Sequence, residues 1–571
     1  IYSNDYAIFQ HNRLSVIDPE NGMQPMTRFF RGNKYTIIYN GEIYNSNELR
    51  KMLKDKGICF ETECDTETVL FTYILLKEKT PELLNGIFAF CVVDEENNNV
   101  FCARDRFGVK PFYYAKVNST YIVASEIKAI LAHPMFKARL DREGLWQLLY
   151  MAPMTISGSG VFKDIFELKP AECGYISKDG FKTDFYWRLK AERWSGSNEE
   201  AASITEGILS DAISRQLKSD APLAVLLSGG LDSSVVTAIA ANEYKKNNCV
   251  LSTYSFEYEG NKENFKSSLF QPQGDDEYAV FLSKYLGTNH NILTADNLTV
   301  ADKLFDVVRA RDLPGQADID SSLLYFCNEI KRKHTVVLSG ECSDEIFGGY
   351  PWFYRPEMLN KDFFPWIHDP YVRINLFRDE FTRKAEGFDF VSSIYKKSAE
   401  NCPLIEDEND EMKRARKATW LSVNHFGASL LQRKDRMSMY SSVEARVPFA
   451  DHRLLEFVYN VPWSIKFENG VEKALLRNAM KGKLPDKILN RKKSPYPKTH
   501  SPKYESAVRS LFLERLNEGV FLKETLAENC VSDIINGNTG TWFGQLMAGP
   551  QLMAWLVQLD YWFEYYNVDL T

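Results

Sequence analysis

The stretch Leu226-Leu227-Ser228-Gly229-Gly230-Leu231-Asp232-Ser233-Ser234 decides the fold of the second half of the chain. It lies between a short apolar run at 223–227, typical of a buried strand, and a helical pattern at 233–244. The two glycines allow a tight turn, and the two serines can satisfy free amides at a helix start, where the dipole favours phosphate. Asp232 could hold magnesium against that phosphate. The alternative, an ordinary strand-to-helix turn with a capping serine, is disfavoured by the whole string in this context.

Strand and helix patterns alternate around this stretch. Further buried strands are predicted at 251–256 and 335–338, and a further helix at 276–286. This alternation predicts a doubly wound parallel sheet, whose ligands bind beyond the carboxyl ends of its strands. After about residue 353 the pattern is mostly helical, and we predict no further strand there.

A second loop of the same kind follows the predicted strand 335–338. It reads Ser339-Gly340-Glu341-Cys342-Ser343-Asp344-Glu345. Three acidic residues just after a buried strand are costly unless they meet cations, so a magnesium–pyrophosphate site is a natural partner. The alternative is that they complement the dipole at the first turn of a helix. Pairing with the first loop favours the phosphate site.

The first half of the chain has a different pattern. Short β-type runs occur at 35–39, 86–93, 100–103 and 121–124, with helical stretches at 47–56 and 66–77 between them. This pattern predicts an α+β sandwich of sheets with helices outside, so that the fold class of the whole chain is α/β. The small, polar segment 194–200 is typical of a linker, and we divide the chain into domains 1–190 and 191–571.

Composition narrows the classes of function. The chain has 571 residues, 44% of them hydrophobic, which suffices for more than one core. Its net charge of −8 provides no general attraction for nucleic acid or anionic lipid, so we expect neither as a partner. No apolar run approaches the roughly 18 residues of a membrane span. The ten cysteines never form Cys-x-x-Cys, which favours a reducing cytosol over a disulfide scaffold or a zinc ribbon. We expect a cytoplasmic protein.

The first loop resembles the pyrophosphate-binding loop of the ATP pyrophosphatases, and no Gly-Lys-Ser/Thr follows its glycines as in a Walker loop. The second loop, Ser-Gly-Glu-x-x-Asp-Glu-x-Phe-Gly-Gly-Tyr at 339–350, extends the likeness. So do Val-Glu-Ala-Arg-Val-Pro-Phe at 443–449 and Glu-Lys-Ala-Leu-Leu-Arg at 472–477. Together these strings resemble the glutamine-dependent asparagine synthetases, over nearly the whole chain.

This resemblance implies a carbon–nitrogen ligase that uses ATP and Mg²⁺. Aspartate would be adenylated with release of pyrophosphate, and ammonia from glutamine would then displace AMP to give asparagine. The alternative within the family is an amidotransferase for another carboxylate, such as a cell-wall or antibiotic precursor. The oligomeric state stays open, with a homodimer as one candidate.

The resemblance also implies roles for individual residues of the second domain. Asp232 and Asp344 would hold Mg²⁺ and pyrophosphate, and Glu341 would be needed to form the adenylate. Lys473 matches a lysine that stabilises charge on the phosphates and the tetrahedral intermediate, although a solvated helical lysine is the alternative. The residues implied in ATP binding are Leu226, Ser228, Gly229, Gly230, Asp232, Ser233, Phe256, Ser339 and Gly340.

Three further features leave alternatives open. The family usually has glycine where this chain has Cys342, and we expect a small packed residue there rather than a working thiol. Arg446 could bind a substrate carboxylate or only a buried partner such as Glu444. The basic run 491–498 could close over ATP phosphates or form a solvated loop, and we favour the loop.

The first domain resembles the class II glutamine amidotransferases through the strings at 13–18, 39–45 and 64–65. Glutamine needs a cation for its carboxylate, an anion for its amine and donors for the oxyanion, which Arg13, Asp65 and the Asn40/Gly41 pair could provide. Without the family match, Asn40-Gly41 would be read as a hairpin turn. The residues implied in glutamine binding are Arg13, Leu14, Ser15, Val16, Ile17, Asn40, Gly41, Glu42 and Asp65.

Family members begin with a Cys-Gly-Ile strand whose terminal cysteine is the nucleophile. Residue 1 here is Ile, and the usual His-Arg-Gly-Pro-Asp string is absent. We expect either a sequence that lacks the first segment of a longer protein, which we favour, or an ammonia-only enzyme. In both cases we do not expect these 571 residues to hydrolyse glutamine.

Two rivals come from other classes of function. A tRNA-modifying pyrophosphatase would predict a basic surface and often paired cysteines, and the sequence has neither. A non-catalytic storage or interaction protein would have no reason to keep Asp232, Glu341, Asp344 and Lys473 together.

Overall fold

The computed structural model describes residues 1–261, 276–359, 363–493, 499–537, 542–544, 547 and 549–571. Within them lie eighteen strands. They are β1 (Tyr2–Ser3), β2 (Ile8–Phe9), β3 (Met26–Phe30), β4 (Asn33–Ile43), β5 (Gly86–Asp94), β6 (Asn99–Arg104), β7 (Tyr113–Val117), β8 (Thr120–Ala124), β9 (Arg139–Leu140), β10 (Ile165–Glu167), β11 (Glu172–Ser177), β12 (Gly180–Phe185), β13 (Leu223–Leu226), β14 (Ser252–Tyr258), β15 (Asn289–Ala295), β16 (Val336–Leu338), β17 (Glu444–Arg446) and β18 (Asp569–Leu570).

The α-helices are α1 (Ser46–Asp55), α2 (Asp65–Leu76), α3 (Thr80–Leu83), α4 (Ile127–Leu131), α5 (Arg142–Trp146), α6 (Asn198–Gln216), α7 (Leu231–Lys246), α8 (Asp276–Leu286), α9 (Asn297–Asp302), α10 (Leu304–Arg311), α11 (Asp318–Lys331), α12 (Ser343–Phe347), α13 (Pro351–Tyr354), α14 (Pro356–Leu359), α15 (Tyr371–Ile374), α16 (Asp379–Thr382), α17 (Lys384–Glu400), α18 (Asp410–Leu421), α19 (Ala428–Tyr440), α20 (His452–Asn460), α21 (Trp463–Lys466), α22 (Ala474–Ala479), α23 (Asp486–Leu489), α24 (Pro502–Glu518), α25 (Leu522–Thr525), α26 (Glu528–Ile535) and α27 (Pro550–Tyr565). No helix of this described part combines the length and the apolar character needed to cross a membrane.

A five-stranded parallel sheet organises the second half of the chain, in the order β15-β14-β13-β16-β17. The predicted doubly wound sheet is therefore confirmed. Its strand order reverses between β13 and β16, which lie side by side with Val225 opposite Leu338. The loops after these two strands thus leave the sheet at the point where ligands bind in such folds.

The prediction of no strand after about residue 353 is wrong. β17 pairs with β16 and forms one edge of the parallel sheet, with Glu444 opposite Val336. It has only three residues, two of them charged, so the sequence carries no apolar run to indicate a strand. A further short strand, β18, pairs with β9 near the end of the chain.

The first half forms the predicted sandwich. A six-stranded antiparallel sheet, in the order β12-β11-β6-β5-β4-β3, has α1 and α2 packed on one face through residues such as Leu53 and Val69. Its other face packs through Cys102 and Leu168 toward the three-stranded sheet β10-β7-β8. Alternation of side chains along each strand supplies apolar groups to both faces, as a sheet covered on two sides requires.

The two halves are joined by residues 186–197, which contain no helix or strand, and they pack closely against each other. Helix α6 begins where Ser197 accepts a hydrogen bond from the backbone amide of Glu200 at 3.2 Å. Val16 and Ile17 of the first half lie in one apolar core with Leu223 of β13. This packing fixes the first half against the parallel sheet.

Candidate active site

The loop after β13 forms a tight turn at the edge of the sheet. Gly229 has a φ of 76°, and a side chain there would bring a Cβ to 2.6 Å from the backbone nitrogen of Ala279. Both the backbone conformation and the close approach of α8 therefore require glycine. Gly230 is the residue that precedes the first turn of α7.

The serines of this loop do not cap α7 as the sequence predicted. The hydroxyls of Ser233 and Ser234 donate to the Gly230 carbonyl at 3.2 and 2.6 Å, and no side chain accepts from the first amides of the helix. A local bond within one turn has competed with the cap. The free amides at the start of this 16-residue helix are suited to a phosphate.

The loops after β13 and β16 meet at a cavity of about 270 Å³. They are so close that a Cβ at Gly340 would lie 3.0 Å from the Ser233 nitrogen. Apart from Gly229, which packs on α8, every residue that the sequence implied in ATP binding lines this cavity: Leu226, Ser228, Gly230, Asp232, Ser233, Phe256, Ser339 and Gly340. The cavity lies at the topological switch point, where the fold favours ligand binding.

Lys473 joins the two loops. Its Nζ lies 2.6 and 2.8 Å from the carboxylate oxygens of Asp232 and 2.5 Å from Oδ1 of Asp344. Burial alone would lower the pKa of Lys473, but the two carboxylates raise this pKa above its ordinary value. The lysine is 3% exposed, so the alternative of a solvated helical lysine is wrong.

Asp344 is held in its charged form. Burial favours its neutral form, but the ammonium groups of Lys473 and then Lys493 lower its pKa to about 2. Lys493 contacts Oδ2 of Asp344 directly. This position contradicts the solvated loop that we favoured for residues 491–493, which line the cavity instead. Residues 494–498 of that basic run lie outside the described residues.

Glu341 faces the cavity from the second loop. Its Oε1 lies 2.7 Å from Nζ of Lys434, and the side chain is 14% exposed. Burial would raise its pKa, but Lys434 and, more weakly, Arg433 lower it. Glu341 is therefore a charged carboxylate beside a fixed cation.

Two neighbours of Glu341 serve the loop in different ways. Cys342 is 4% exposed and has a φ of 74°, in the left-handed region, where glycine is the residue without steric cost. This conformation accounts for the glycine usual in the family and fits the small packed residue that we predicted. Glu345 is buried and accepts a hydrogen bond from the Tyr350 hydroxyl at 2.8 Å. Burial, and then the charge of Asp344, raise the pKa of Glu345 to about 7.

Arg446 does not reach the cavity. Its guanidinium donates to Glu444 at 2.8 Å and to the backbone carbonyls of Gln216 and Lys218 at 2.7 and 2.6 Å. Of the two roles left open by the sequence, the structure therefore favours the buried partner. The cavity instead presents two cations that sequence reasoning missed, Arg433 and Lys434, both on α19.

The residues implied in glutamine binding lie around β4. Asp65 accepts hydrogen bonds from the Tyr39 hydroxyl at 2.8 Å and the Ile43 amide at 3.0 Å. Arg13 donates to the carbonyls of its own loop, among them Asp18 at 3.0 Å, and this loop is tied to the Asp65 side because the Glu63 amide donates to Asp18 at 2.8 Å. The structure thus brings the predicted cation and anion into one region.

The other residues implied in glutamine binding differ in local structure and in burial. Asn40 and Gly41 lie inside β4, paired with Ala89 and Phe88, so the hairpin-turn alternative is wrong. A Cβ at Gly41 would overlap the neighbouring strand, which explains the glycine. Glu42 is 5% exposed. Leu14 and Ser15 are half-buried, whereas Val16 and Ile17 pack into the core.

Comparisons with known proteins find two family models that match the chain. The asparagine synthase family model matches residues 205–564, and a glutamine amidotransferase domain model matches residues 1–187. The chain is 44% identical to glutamine-hydrolyzing asparagine synthetase 3 of Bacillus subtilis (strain 168), over 100% of this chain and 94% of that protein. It is 29% identical to glutamine-hydrolyzing asparagine synthetase 1 of the same organism, over 87% of this chain and 80% of the relative.

Proposed function

Because the chain belongs to the asparagine synthase family and is therefore a ligase that forms an amide with the use of ATP, we propose that it converts aspartate into asparagine through a β-aspartyl-adenylate. The other products are AMP and pyrophosphate. The observation that carries the proposal is the meeting of two phosphate-type loops around Lys473, which contacts both Asp232 and Asp344. No lysine follows the glycines of the first loop, as it does in Walker loops that split off the terminal phosphate.

In the first step, a carboxylate oxygen of aspartate bonds to the α-phosphorus of ATP, and the bond between the α-phosphorus and the bridging oxygen to the β-phosphate breaks. The free amides at the start of α7 and the ammonium of Lys473 stabilise the negative charge that moves onto pyrophosphate. Lys493, which contacts Asp344, adds a second cation at this end of the cavity.

The donor atoms at this end suit Mg²⁺. Asp232 and Asp344 present carboxylate oxygens, and Mg²⁺ is usually held by one or two carboxylates together with substrate phosphates. No larger cluster of metal-binding side chains occurs in the part of the chain that the structure describes. When bound, the ion would neutralise charge on the departing pyrophosphate.

In the second step, ammonia forms a bond to the acyl carbon, AMP leaves with the electrons of the acyl–oxygen bond, and the nitrogen loses a proton to water. Glu341 is the carboxylate of the second loop that faces this part of the cavity, and Lys434 holds it. We propose that domain 1–190 binds glutamine through Arg13, Asn40, Gly41 and Asp65, and that domain 191–571 is the ligase.

The proposal is tested by supplying the purified protein with ATP, Mg²⁺, ammonium chloride and a panel of carboxylates that includes aspartate. Asparagine, AMP and pyrophosphate are expected in equal amounts, measured by mass spectrometry and a pyrophosphate assay. Asp232→Asn should abolish the formation of all three products. The control is Glu243→Gln, which changes a carboxylate that pairs with Lys246 near the far end of the same helix α7, and it should abolish none of them. Stoichiometric ADP, or amidation of another acid in place of aspartate, would contradict the proposal.

A further inference from the structure

Helix α19 lies between the candidate active site and the first half of the chain and contacts both. Its residues at spacings of three and four form faces, because side chains so spaced lie on one side of a helix. The cavity face carries Leu430, Arg433 and Lys434. The opposite face carries Gln432, Asp435 and Arg436, which contact the first half.

The strongest of these outer contacts is an ion pair between Lys110 and Asp435. The Lys110 Nζ lies 2.8 Å from Oδ1 of Asp435, and the two side chains are 1% and 4% exposed. Gln432 adds a hydrogen bond to Glu167 at 3.2 Å, and the guanidinium of Arg436 lies 5.3 Å from the Tyr113 ring centre. Removing one partner of a buried ion pair leaves an uncompensated buried charge, so the pair is costly to break and fixes the helix firmly.

Lys110 itself is rigidly held by the first half of the chain. Its backbone amide donates to Asp105 at 2.9 Å, and its carbonyl accepts from the Arg104 side chain at 2.7 Å. Arg104 is in turn bonded to the Leu168 carbonyl at 2.6 Å. The backbone from which the Lys110 side chain extends is therefore fixed by the first domain.

Lys434 is the next residue along the helix from Asp435, and it contacts the other side. Its Nζ lies 2.7 Å from Oε1 of Glu341, and its side chain is 4% exposed. A displacement of α19 that alters one of these two ion pairs must alter the other, because a single backbone step separates Lys434 from Asp435.

We propose that Lys434 is a positioning residue that orients Glu341, and that the first domain sets its position through the Lys110–Asp435 ion pair. This inference rests on the proposed function, in which Glu341 acts at the acceptor. An error of about 1 Å in the placement of such a group can cost on the order of 100-fold in rate. The docked domain thus affects the chemistry of the ligase site even when ammonia is supplied from solution.

The test measures ammonium-dependent pyrophosphate release by the full chain, with kcat and the KM for ATP determined separately. Lys434→Met and Lys110→Met should each lower kcat about tenfold or more and leave the KM for ATP within about twofold. The double variant should be no slower than the slower single variant, because both act through one element. Asn85→Ala, which removes a hydrogen bond to Asp451 between the same halves without involving α19, should leave kcat within twofold.

A further variant distinguishes the loss of positioning from misfolding. Lys110→Met combined with Asp435→Leu removes both buried charges, and it should fold yet keep the lowered kcat. Single variants within twofold of the wild type, or rate losses that multiply in the double variant, would overturn the positioning role. The proposed function itself fails if the wild type releases no pyrophosphate, or if Glu341→Gln releases pyrophosphate at the wild-type rate. An active wild type, an inactive Glu341→Gln and an unaffected Lys434→Met would refute only the inference.

Discussion

Lys473 and Asp232 are 241 residues apart in the sequence, yet the lysine ammonium lies 2.6 and 2.8 Å from the two oxygens of the carboxylate. Lys473 adopts a φ of 56° just before α22, and this left-handed turn directs its side chain between the two phosphate-type loops. The same ammonium contacts Asp344, so one cation joins the loops after β13 and β16. The arrangement of the two loops therefore depends on a residue outside both.

Lys473→Met is expected to lower kcat for pyrophosphate release at least about 100-fold, because it removes a donor from the charge that develops in the reaction. It also leaves Asp232 without its cation and Asp344 with Lys493 alone, at a cost of about 3–5 kcal/mol in the free energy of unfolding. Steady-state kinetics and urea unfolding measure the two effects. Lys481→Met, at an exposed position beyond the same helix, is the control and should change neither quantity. Wild-type kcat in Lys473→Met would remove this lysine from the mechanism.

Glu345 should make the protein less stable as the pH rises. Burial and the charge of Asp344 raise its pKa from 4.5 to about 7, so the folded state keeps its proton longer than the unfolded state. The contribution is fully present below about pH 4.5, declines by about 1.4 kcal/mol per pH unit toward pH 7, and is lost above it. Asp344, with a pKa of about 2, titrates below this window.

Glu345→Gln should therefore flatten the pH dependence of the free energy of unfolding between pH 4.5 and 7, by roughly 3 kcal/mol in total. Urea unfolding at several pH values, without added magnesium, provides the measurement. Glu243→Gln should retain the wild-type slope because that carboxylate is not buried. An unchanged slope in Glu345→Gln would show that the carboxyl is charged in the folded protein.

Cys342 is expected to be replaceable by glycine. Its left-handed backbone costs a non-glycine residue about 1–2 kcal/mol, which glycine recovers while losing the packing of the sulfur. Cys342→Gly should thus stay within about 1 kcal/mol of the wild type and within twofold in kcat. Cys342→Val should lose more than about 2 kcal/mol, because a β-branched side chain suits this conformation poorly. A tenfold loss of activity in a stably folded Cys342→Gly would instead indicate a role for the thiol.

Arg446→Met should affect folding rather than substrate binding. The guanidinium bonds to Glu444 and two backbone carbonyls, so its removal leaves a buried carboxylate and unpaired acceptors. We expect a loss of about 3–5 kcal/mol in the free energy of unfolding, with the KM for aspartate within twofold. The opposite result, unchanged stability with a tenfold higher KM, would restore the substrate-carboxylate role.

The sequence predicted the positions of the loops after β13 and β16 because their signals are local: an apolar strand, glycines and then acidic or hydroxyl residues. It failed where tertiary contacts decide. Asn40-Gly41 is a strong turn signal, but pairing with β5 keeps it extended within β4. β17 forms because β16 offers a free edge, not because its three residues favour a strand.

Helix α19 shows why some residues of the candidate site could not be predicted from the sequence. Residues 433–436 are four consecutive charged side chains, a pattern typical of a solvated helix. They are buried because the helix lies between the first half of the chain and the cavity, and each charge has a partner from another element. No local pattern carries that information, so Arg433 and Lys434 could not be placed in the cavity from the sequence.

Gly349 is expected to be essential for the geometry around Lys473. Its backbone amide donates to the Asp344 carbonyl at 2.9 Å, and a Cβ would overlap both the Asp344 carboxylate and the side-chain carbons of Lys473. Because the obstructed atoms are side-chain ends, Gly349→Ala should fold with a loss of about 1–3 kcal/mol while the ion pair is forced apart. We expect kcat for pyrophosphate release to fall at least tenfold. Gly207→Ala on α6, where a Cβ meets nothing within 4 Å, should be neutral or slightly stabilising. Wild-type kcat in Gly349→Ala would mean that the contact between Lys473 and Asp344 is not required for the reaction.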